Sequence, residues 1–210
     1  MRKILLTIAF VIIMTISASA QFKPFQFGLK IEPGIGWSKL NSDHLDNGKT
    51  KLSFNWGFVG NIYFVENYGF SSGFNVRFMN NEYSFSDSNG NNIVRTLKNQ
   101  YLEIPMGLTM RTEKMDDVRV LGNVSYGLGF LLNHNERNFY SNGNELTLPT
   151  SYSKIRHALI VKLGVEYYIH KSSCIVAAFV FNNNFSNIYQ KDYEQNVLLN
   201  NLCLEIGFMF

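Results

Sequence analysis

The sequence has little cysteine, no excess of charge of one sign and no long apolar run beyond its first twenty residues. The two cysteines, Cys174 and Cys203, show no metal or redox spacing. A disulfide between them is chemically allowed in an exported chain, but cross-strand disulfides need a demanding geometry. We therefore expect two small buried or strand-facing residues.

The N-terminus follows the pattern of an export signal. It has a positive start at Arg2 and Lys3, an apolar run over residues 4–16 and small residues at Ala18-Ser19-Ala20. The run is shorter than the ~20 residues that a membrane-spanning helix needs. The pattern predicts a signal peptide over residues 1–20 and one mature domain over residues 21–210.

The mature chain lacks both a helical membrane span and a strong charge. Its longest unbroken apolar run, Cys174–Phe181, has eight residues, so it could enter a membrane only as a closed barrel. Two of the 19 Lys and Arg residues lie in the signal, which leaves 17 against 16 acidic residues. This near balance gives no electrostatic reason to expect a nucleic-acid partner.

The mature chain alternates apolar and polar residues with a period of two. Eight segments show this pattern or an apolar run of strand length, and they begin near Phe27, Phe54, Gly69, Tyr101, Val118, Leu159, Ser173 and Leu202. Short connections at 66–67, 112–117 and 170–172 alternate with long polar ones at 38–51, 80–99, 133–155 and 182–197. The pattern predicts an all-β fold, an eight-stranded antiparallel up-and-down transmembrane β-barrel in the outer membrane, with both termini periplasmic.

Aromatic residues fall where the two membrane interfaces of such a barrel are expected. Trp37, Trp56 and Phe130 belong toward the long loops, and Tyr68, Phe70, Tyr167 and Phe210 toward the short turns.

The less apolar face of the strands decides between a membrane barrel and a lipocalin-like soluble barrel. A water-facing surface would be about a quarter to a third charged. This face is instead mostly Gly, Asn, Ser and Tyr with isolated, sign-balanced charges, which favours a narrow polar lumen. The candidates for ion pairs in that lumen are Glu32, Glu103, Glu166, Glu205, Lys30, Arg77, Arg111, Arg119 and Lys162.

The last strand ends on an aromatic residue, with apolar residues at every second position before it. This ending resembles the signal that the assembly machinery of outer-membrane barrels reads, and its candidate residues are Ile206, Phe208 and Phe210. The expected partners are therefore outer-membrane lipid and that machinery.

The sequence shows no motif for catalysis, a metal or a cofactor. The four histidines have no metal-ligand spacing, and no Gly-x-Ser-x-Gly element is present. We expect that the protein is not an enzyme. Four loop residues that could still meet near the loop rim are His134, Glu136, Ser151 and His157.

The segment Tyr101–Arg111 reads YLEIPMGLTMR. It resembles the Tyr-Leu-Glu-Ile-Pro strand of the PorT-like outer-membrane β-barrel family of the Bacteroidetes, and Phe27–Leu40 is similar to that family's first strand. The resemblance implies an eight-stranded barrel, in some members an accessory of a secretion or envelope complex.

These observations favour a structural or interaction role, with a protein partner at the long loops. Phe139, Tyr140, Tyr152, Phe185 and Tyr189 would supply aromatic contacts there. The alternative is a narrow pore or a barrel that binds or transports a small ligand. An interior of eight strands is nearly filled by side chains, which disfavours a wide channel.

Overall fold

A closed ring of eight long antiparallel strands dominates the computed structural model, which describes residues 24–40, 45–86, 90–140, 142–148, 151–190 and 196–210. The expected signal peptide lies outside these residues. Within them, no helix is long and apolar enough to cross a membrane.

The described residues form eight long strands and two very short ones. In chain order they are β1 (Phe25–Leu40), β2 (Leu45–Asn47), β3 (Lys51–Val65), β4 (Tyr68–Ser86), β5 (Asn92–Arg111), β6 (Val118–Tyr140), β7 (Glu145–Leu146), β8 (Ile155–Tyr168), β9 (Cys174–Asn184) and β10 (Val197–Met209).

The ring closes because each long strand pairs with the next long strand and β1 also pairs with β10. Followed from Gln26 around the barrel, the paired residues return to β1 at Gly36, ten residues further along that strand. The residues between them are Asn61, Ser71, Gly107, Ser125, Ile160, Asn182 and Asn201. Such a stagger requires strands tilted by about 40° to the barrel axis. The predicted eight-stranded antiparallel barrel is confirmed.

The two ends of the barrel differ. One end, here the turn end, holds the three short connections β3–β4, β5–β6 and β8–β9, together with Phe25 and Met209. The other end, here the loop end, holds the longer connections β1–β3, β6–β8 and β9–β10, together with β4–β5, which spans only residues 87–91. The turn at Glu66-Asn67 lies where the sequence predicted it.

The outward face of the barrel is apolar. On β1 the outward residues Phe27, Leu29 and Ile31 are 51%, 48% and 45% exposed, and the other long strands carry similar rows. A continuous apolar surface of this extent is typical of a protein that meets lipid. A lipocalin-like barrel would bury this face, so that alternative is wrong.

Aromatic residues lie on the outward face at both ends. Tyr68, Tyr167 and Phe210 are exposed at the turn end, where Phe210 stacks on Phe27 with ring centroids 5.1 Å apart. Near the loop end, Trp37 stacks on Phe181 at 6.2 Å.

One side of the barrel wall is much taller than the rest. Strands β4, β5 and β6 have 19, 20 and 23 residues, whereas about 9–11 residues suffice to cross a bilayer. The short strand β2 pairs with β4, and β7 pairs with β6, so each borders the upper part of this wall. The long loop predicted over 80–99 is therefore largely strand, and residues 133–140 of the loop predicted over 133–155 belong to β6, so both loops were predicted too long.

The physical reason is a reversal of polarity along the same strands. In the lower part of β4, Phe78 faces out and Arg77 faces in, whereas above it Asn80 faces out and Met79 and Tyr83 face in. Once the strands leave the apolar zone, polar residues face the surroundings and apolar residues fill the interior. The period of two continues, but its phase inverts, and the segment reads as a polar loop.

Candidate functional site

Seven charged side chains meet in the middle of the barrel and form what we call the mid-lumen network. Its members are Lys30, Glu32, Arg77, Glu103, Arg156, Lys162 and Glu205. They come from β1, β4, β5, β8 and β10, because each occupies an inward position of its strand.

Arg77 is the centre of this network and is fully buried. Its Nη2 atom lies 2.9 Å from Glu103 Oε1 and 3.4 Å from Glu32 Oε2, and its Nε donates to Glu103 Oε1 at 3.1 Å. A buried guanidinium is tolerated only when carboxylates and further hydrogen bonds surround it. The carboxylate of Glu32 in turn accepts a hydrogen bond from Asn55 at 3.0 Å.

Two lysines extend the network across β1, β8 and β10. Lys30 Nζ lies 2.6 Å from Glu32 and 3.4 Å from Glu205, and Lys162 Nζ lies 3.0 Å from Glu205. Glu205, on β10, therefore joins a cation on β1 to a cation on β8.

Arg156 belongs to the network and was missed by the sequence reasoning. Its Nη1 atom donates to Glu103 Oε2 at 2.5 Å, and its Nη2 donates to Asn182. The sequence placed it at the edge of a loop, ahead of the strand beginning near Leu159. Even-numbered residues such as Lys162 point inward on this strand, and Arg156 also has an even number. This alternation could have identified it.

The other predicted lumen residues lie apart from this network, near the turn end. Arg119 Nη2 pairs at 2.7 Å with Glu66, a turn residue that the sequence reasoning did not single out. Arg111 Nη1 lies 3.9 Å from Glu166 and donates to the Tyr168 hydroxyl at 3.3 Å. These groups line or border a cavity of about 590 Å³, here the turn-end cavity.

The lumen is filled on the loop-end side of the network and closely packed beside it. Toward the loop end lies the loop-end core, an apolar cluster of Met79, Tyr83, Leu97, Tyr101, Ile188, Tyr189, Val197 and Leu199. Beside the network, two cavities have volumes of only about 20 and 10 Å³. A single water needs about 10–15 Å³, so these spaces hold little more than one water each.

A buried arginine ties the loop before β10 into the loop-end core. Arg95 Nη1 donates to the hydroxyls of Tyr83 and Tyr189 at 3.1 and 3.0 Å, and Arg95 Nε lies 3.1 Å from Glu136. Arg95 was also missed, because its segment had been assigned to a loop.

The residues considered for catalysis are not brought together. His157 faces outward and contacts Tyr126, whereas His134 faces inward, with its ring centroid 3.4 Å from that of Tyr152. Above the apolar zone, burial and the nearby Arg95 lower the pKa of His134 to about 4, so the ring is neutral at pH 7. In the described ranges, no three His, Cys, Asp or Glu side chains are grouped to hold a metal ion.

Both cysteines are buried and unpaired. Cys203 Sγ accepts a hydrogen bond from Asn55 at 3.5 Å, and Cys174 Sγ accepts one from Gln26 at 3.7 Å. At the end of the chain, Ile206, Phe208 and Phe210 all point outward from the barrel. Their role in assembly stays a prediction.

The family profile described as "Outer membrane protein beta-barrel domain" matches residues 6–202. The chain belongs to this family. Membership places it among outer-membrane barrels, in agreement with the apolar outward face. No curated protein matches the chain in sequence.

Solved outer-membrane barrels resemble this family member in structure at low sequence identity. Ail of Yersinia pestis is 16% identical, with 90% of this chain and 100% of that chain covered, at a TM-score of 0.44. Neisserial surface protein A is 11% identical, with coverages of 86% and 95% and a TM-score of 0.48. OprG from Pseudomonas aeruginosa is 10% identical, with coverages of 90% and 97% and a TM-score of 0.47.

We expect Glu103→Gln to destabilise the barrel by about 3–5 kcal/mol, because Arg77 and Arg156 would both lose a buried carboxylate. The matched control is Glu82→Gln, which breaks the more exposed Lys51–Glu82 pair and should cost at most about 1 kcal/mol. Urea unfolding of the reconstituted barrel, followed by tryptophan fluorescence, measures both. Equal costs for the two variants would contradict a stabilising role of the network.

Proposed function

We propose that this outer-membrane barrel is non-conducting and serves a structural or interaction role. The closed lumen carries the proposal. The mid-lumen network leaves cavities of about 20 and 10 Å³ beside it, and the loop-end core covers the side toward the loops. A solute of more than a few atoms would have to displace buried ion pairs to pass.

The loop end is proposed to face outside the cell, with both termini in the periplasm. Short turns on the periplasmic side and longer connections on the outer side are the usual arrangement of these barrels. The tall wall of β4–β6 would then stand above the outer leaflet.

This wall supplies the surface for a protein partner. Its outward side carries Lys98 and Arg137 among the amides of Asn80, Asn133 and Asn135, which border a shallow cavity of about 300 Å³. Three paired strands hold the backbone of this surface in a fixed position, so little backbone conformational entropy is lost when a partner binds.

A PorT-like affiliation, with an accessory role in a secretion or envelope complex, is part of the same proposal. The resemblance of the segment Tyr101–Arg111 supports it, and on β5 the residues of that segment have structural roles. Tyr101 packs in the loop-end core, Glu103 binds Arg77 and Arg156, and the Pro105 carbonyl accepts a hydrogen bond from Ser72 at 2.9 Å.

A barrel that binds a small ligand is the second candidate function. The turn-end cavity of about 590 Å³ favours it, because that volume is within the range of ligand sites.

We expect no discrete current steps when the full barrel is inserted into planar bilayers, because the lumen is closed. A large porin reconstituted in the same way is the positive control for insertion. Stable steps whose ion selectivity changes in Glu205→Gln would show that ions pass the mid-lumen network, and would overturn the non-conducting proposal.

We expect a photo-crosslinking amino acid at Asn135 to capture one recurrent protein partner in cells, because this position lies on the outward side of the tall wall. The matched control is the same amino acid at Glu113, an exposed position at the turn end. Crosslinked bands are identified by mass spectrometry. Capture only from Glu113, or only of the assembly machinery at both positions, would contradict a partner at the loop end.

A further inference from the structure

The turn-end cavity has the size and shape of a ligand site. It opens at the periplasmic mouth of the lumen proposed above and has a volume of about 590 Å³. Six parts of the fold contribute to it: the start of β1, the end of β3 with its turn, the end of β5, the start of β6, the end of β8 with its turn, and Phe210 after β10. Because these elements are held by the barrel's hydrogen bonds, the cavity is preformed.

Basic side chains outnumber acidic ones in the lining of this cavity. Arg111, Arg119 and Lys171 are the cations, and Glu66 is the one acidic residue among the lining side chains of the described chain. Glu166 lies just outside the lining, where it faces Arg111 at 3.9 Å. No ion-pair partner of Lys171 occurs among the residues that the structure describes, so its charge is available to a ligand.

Arg119 has donors to spare although it is only 8% exposed. Its Nη2 atom is paired with Glu66, whereas Nε and Nη1 have no hydrogen-bond partner within the described chain. Leaving buried donors unsatisfied costs free energy, of the order of 1–3 kcal/mol for each group. An anion entering beside Arg119 would remove part of that cost.

Aromatic rings fix the cations in place. The Arg111 guanidinium lies 3.7 Å from the centroid of the Tyr63 ring, and that of Arg119 lies 5.8 Å from the Tyr168 ring. Arg111 is already engaged, because its Nε donates to the Glu66 carbonyl at 2.8 Å and its Nη1 to the Tyr168 hydroxyl at 3.3 Å, so the donors left for an anion are those of Arg119. Phe25 and Phe210 add apolar wall beside these charges.

We propose that the turn-end cavity binds a small oxyanion, a carboxylate or phosphate group, with Arg119 as its main contact and Lys171 as a second. Glu66 competes with that ligand for the Arg119 guanidinium. The site is independent of the interaction role proposed for the loop end, since it lies at the opposite end of a closed lumen.

The test is calorimetric titration of the full barrel in phosphatidylcholine nanodiscs with benzoate and, separately, with inorganic phosphate. Saturable binding of at least one anion is expected. Arg119→Gln should weaken it about tenfold, as for the loss of one charge-assisted hydrogen bond. Glu66→Gln should tighten it about threefold, because the competing carboxylate is gone.

Two controls separate this site from general electrostatics and from lipid. Lys114→Gln removes a charge at the same end outside the cavity, where Lys114 pairs with Asp117 at 3.0 Å, and should change the affinity less than about twofold. Repeating the phosphate titration in phosphatidylglycerol nanodiscs distinguishes a lipid headgroup from a free solute as the ligand. A headgroup that occupies the site would compete with phosphate and weaken its binding. If the site takes a free solute, phosphate binding would persist.

Either of two results would overturn the proposal. One is no saturable binding of benzoate or phosphate to the wild-type barrel in phosphatidylcholine. The other is binding that Glu66→Gln fails to tighten, or that Lys114→Gln weakens as much as Arg119→Gln does. The Glu66→Gln variant keeps the test decisive even when Arg119→Gln does not fold.

Discussion

A guanidinium without access to water sits at the centre of this barrel, and much of the structure follows from it. Arg77 is fully buried and is held between Glu32 and Glu103. In a barrel whose outer face is apolar, charges can lie only inside, and inside they need partners at short range. The carboxylates that pair with Arg77 also pair with Lys30 and Arg156, so the ion pairs connect β1, β4, β5 and β8 across the lumen, while Nη1 of Arg77 has no hydrogen-bond partner within the described chain.

The polarity of the two barrel faces reverses along β4, β5 and β6, because the surroundings of these strands change from lipid to water. Within the lipid zone the apolar side chains face out and the polar ones fill the lumen. Above it the surroundings are polar, and the lowest free energy places Met79, Tyr83 and Leu97 inside. The strand pairing continues through both arrangements, with one register shift between β5 and β6 at Gln100 and Tyr101.

The parts of the fold that could be predicted from the sequence are those in which the period of two keeps one phase. Strand number, the turn at Glu66-Asn67 and the apolar outward face follow from it, as does the inward placement of Arg77 and Glu103. The tall wall could not be recognised, because polar outward residues such as Lys98 and Asn135 resemble loop residues when only sequence is read.

The division of the lumen into separate charged groups also could not be predicted. Whether a residue number is odd or even tells which face of the barrel its side chain points to. It does not tell how far along the barrel axis the residue lies, because that position depends on the stagger between strands. Arg111 and Arg119 share the inward face with Arg77, yet the stagger places them in the turn-end cavity, away from the mid-lumen network. The pairing of Arg119 with Glu66 also could not be predicted, because Glu66 lies in a turn, where side chains do not alternate between the inward and outward faces.

The most direct test of the account is a spin-label scan of residues 54–62 on β3 in proteoliposomes, with both native cysteines replaced. Collisions with oxygen report lipid, and collisions with a water-soluble nickel chelate report water. We expect oxygen accessibility to peak at Phe54, Trp56 and Phe58, with labels at the inward positions Asn55 and Val59 shielded from both reagents. Strong nickel collisions at the outward positions, or no alternation, would contradict a lipid-facing barrel with a closed lumen.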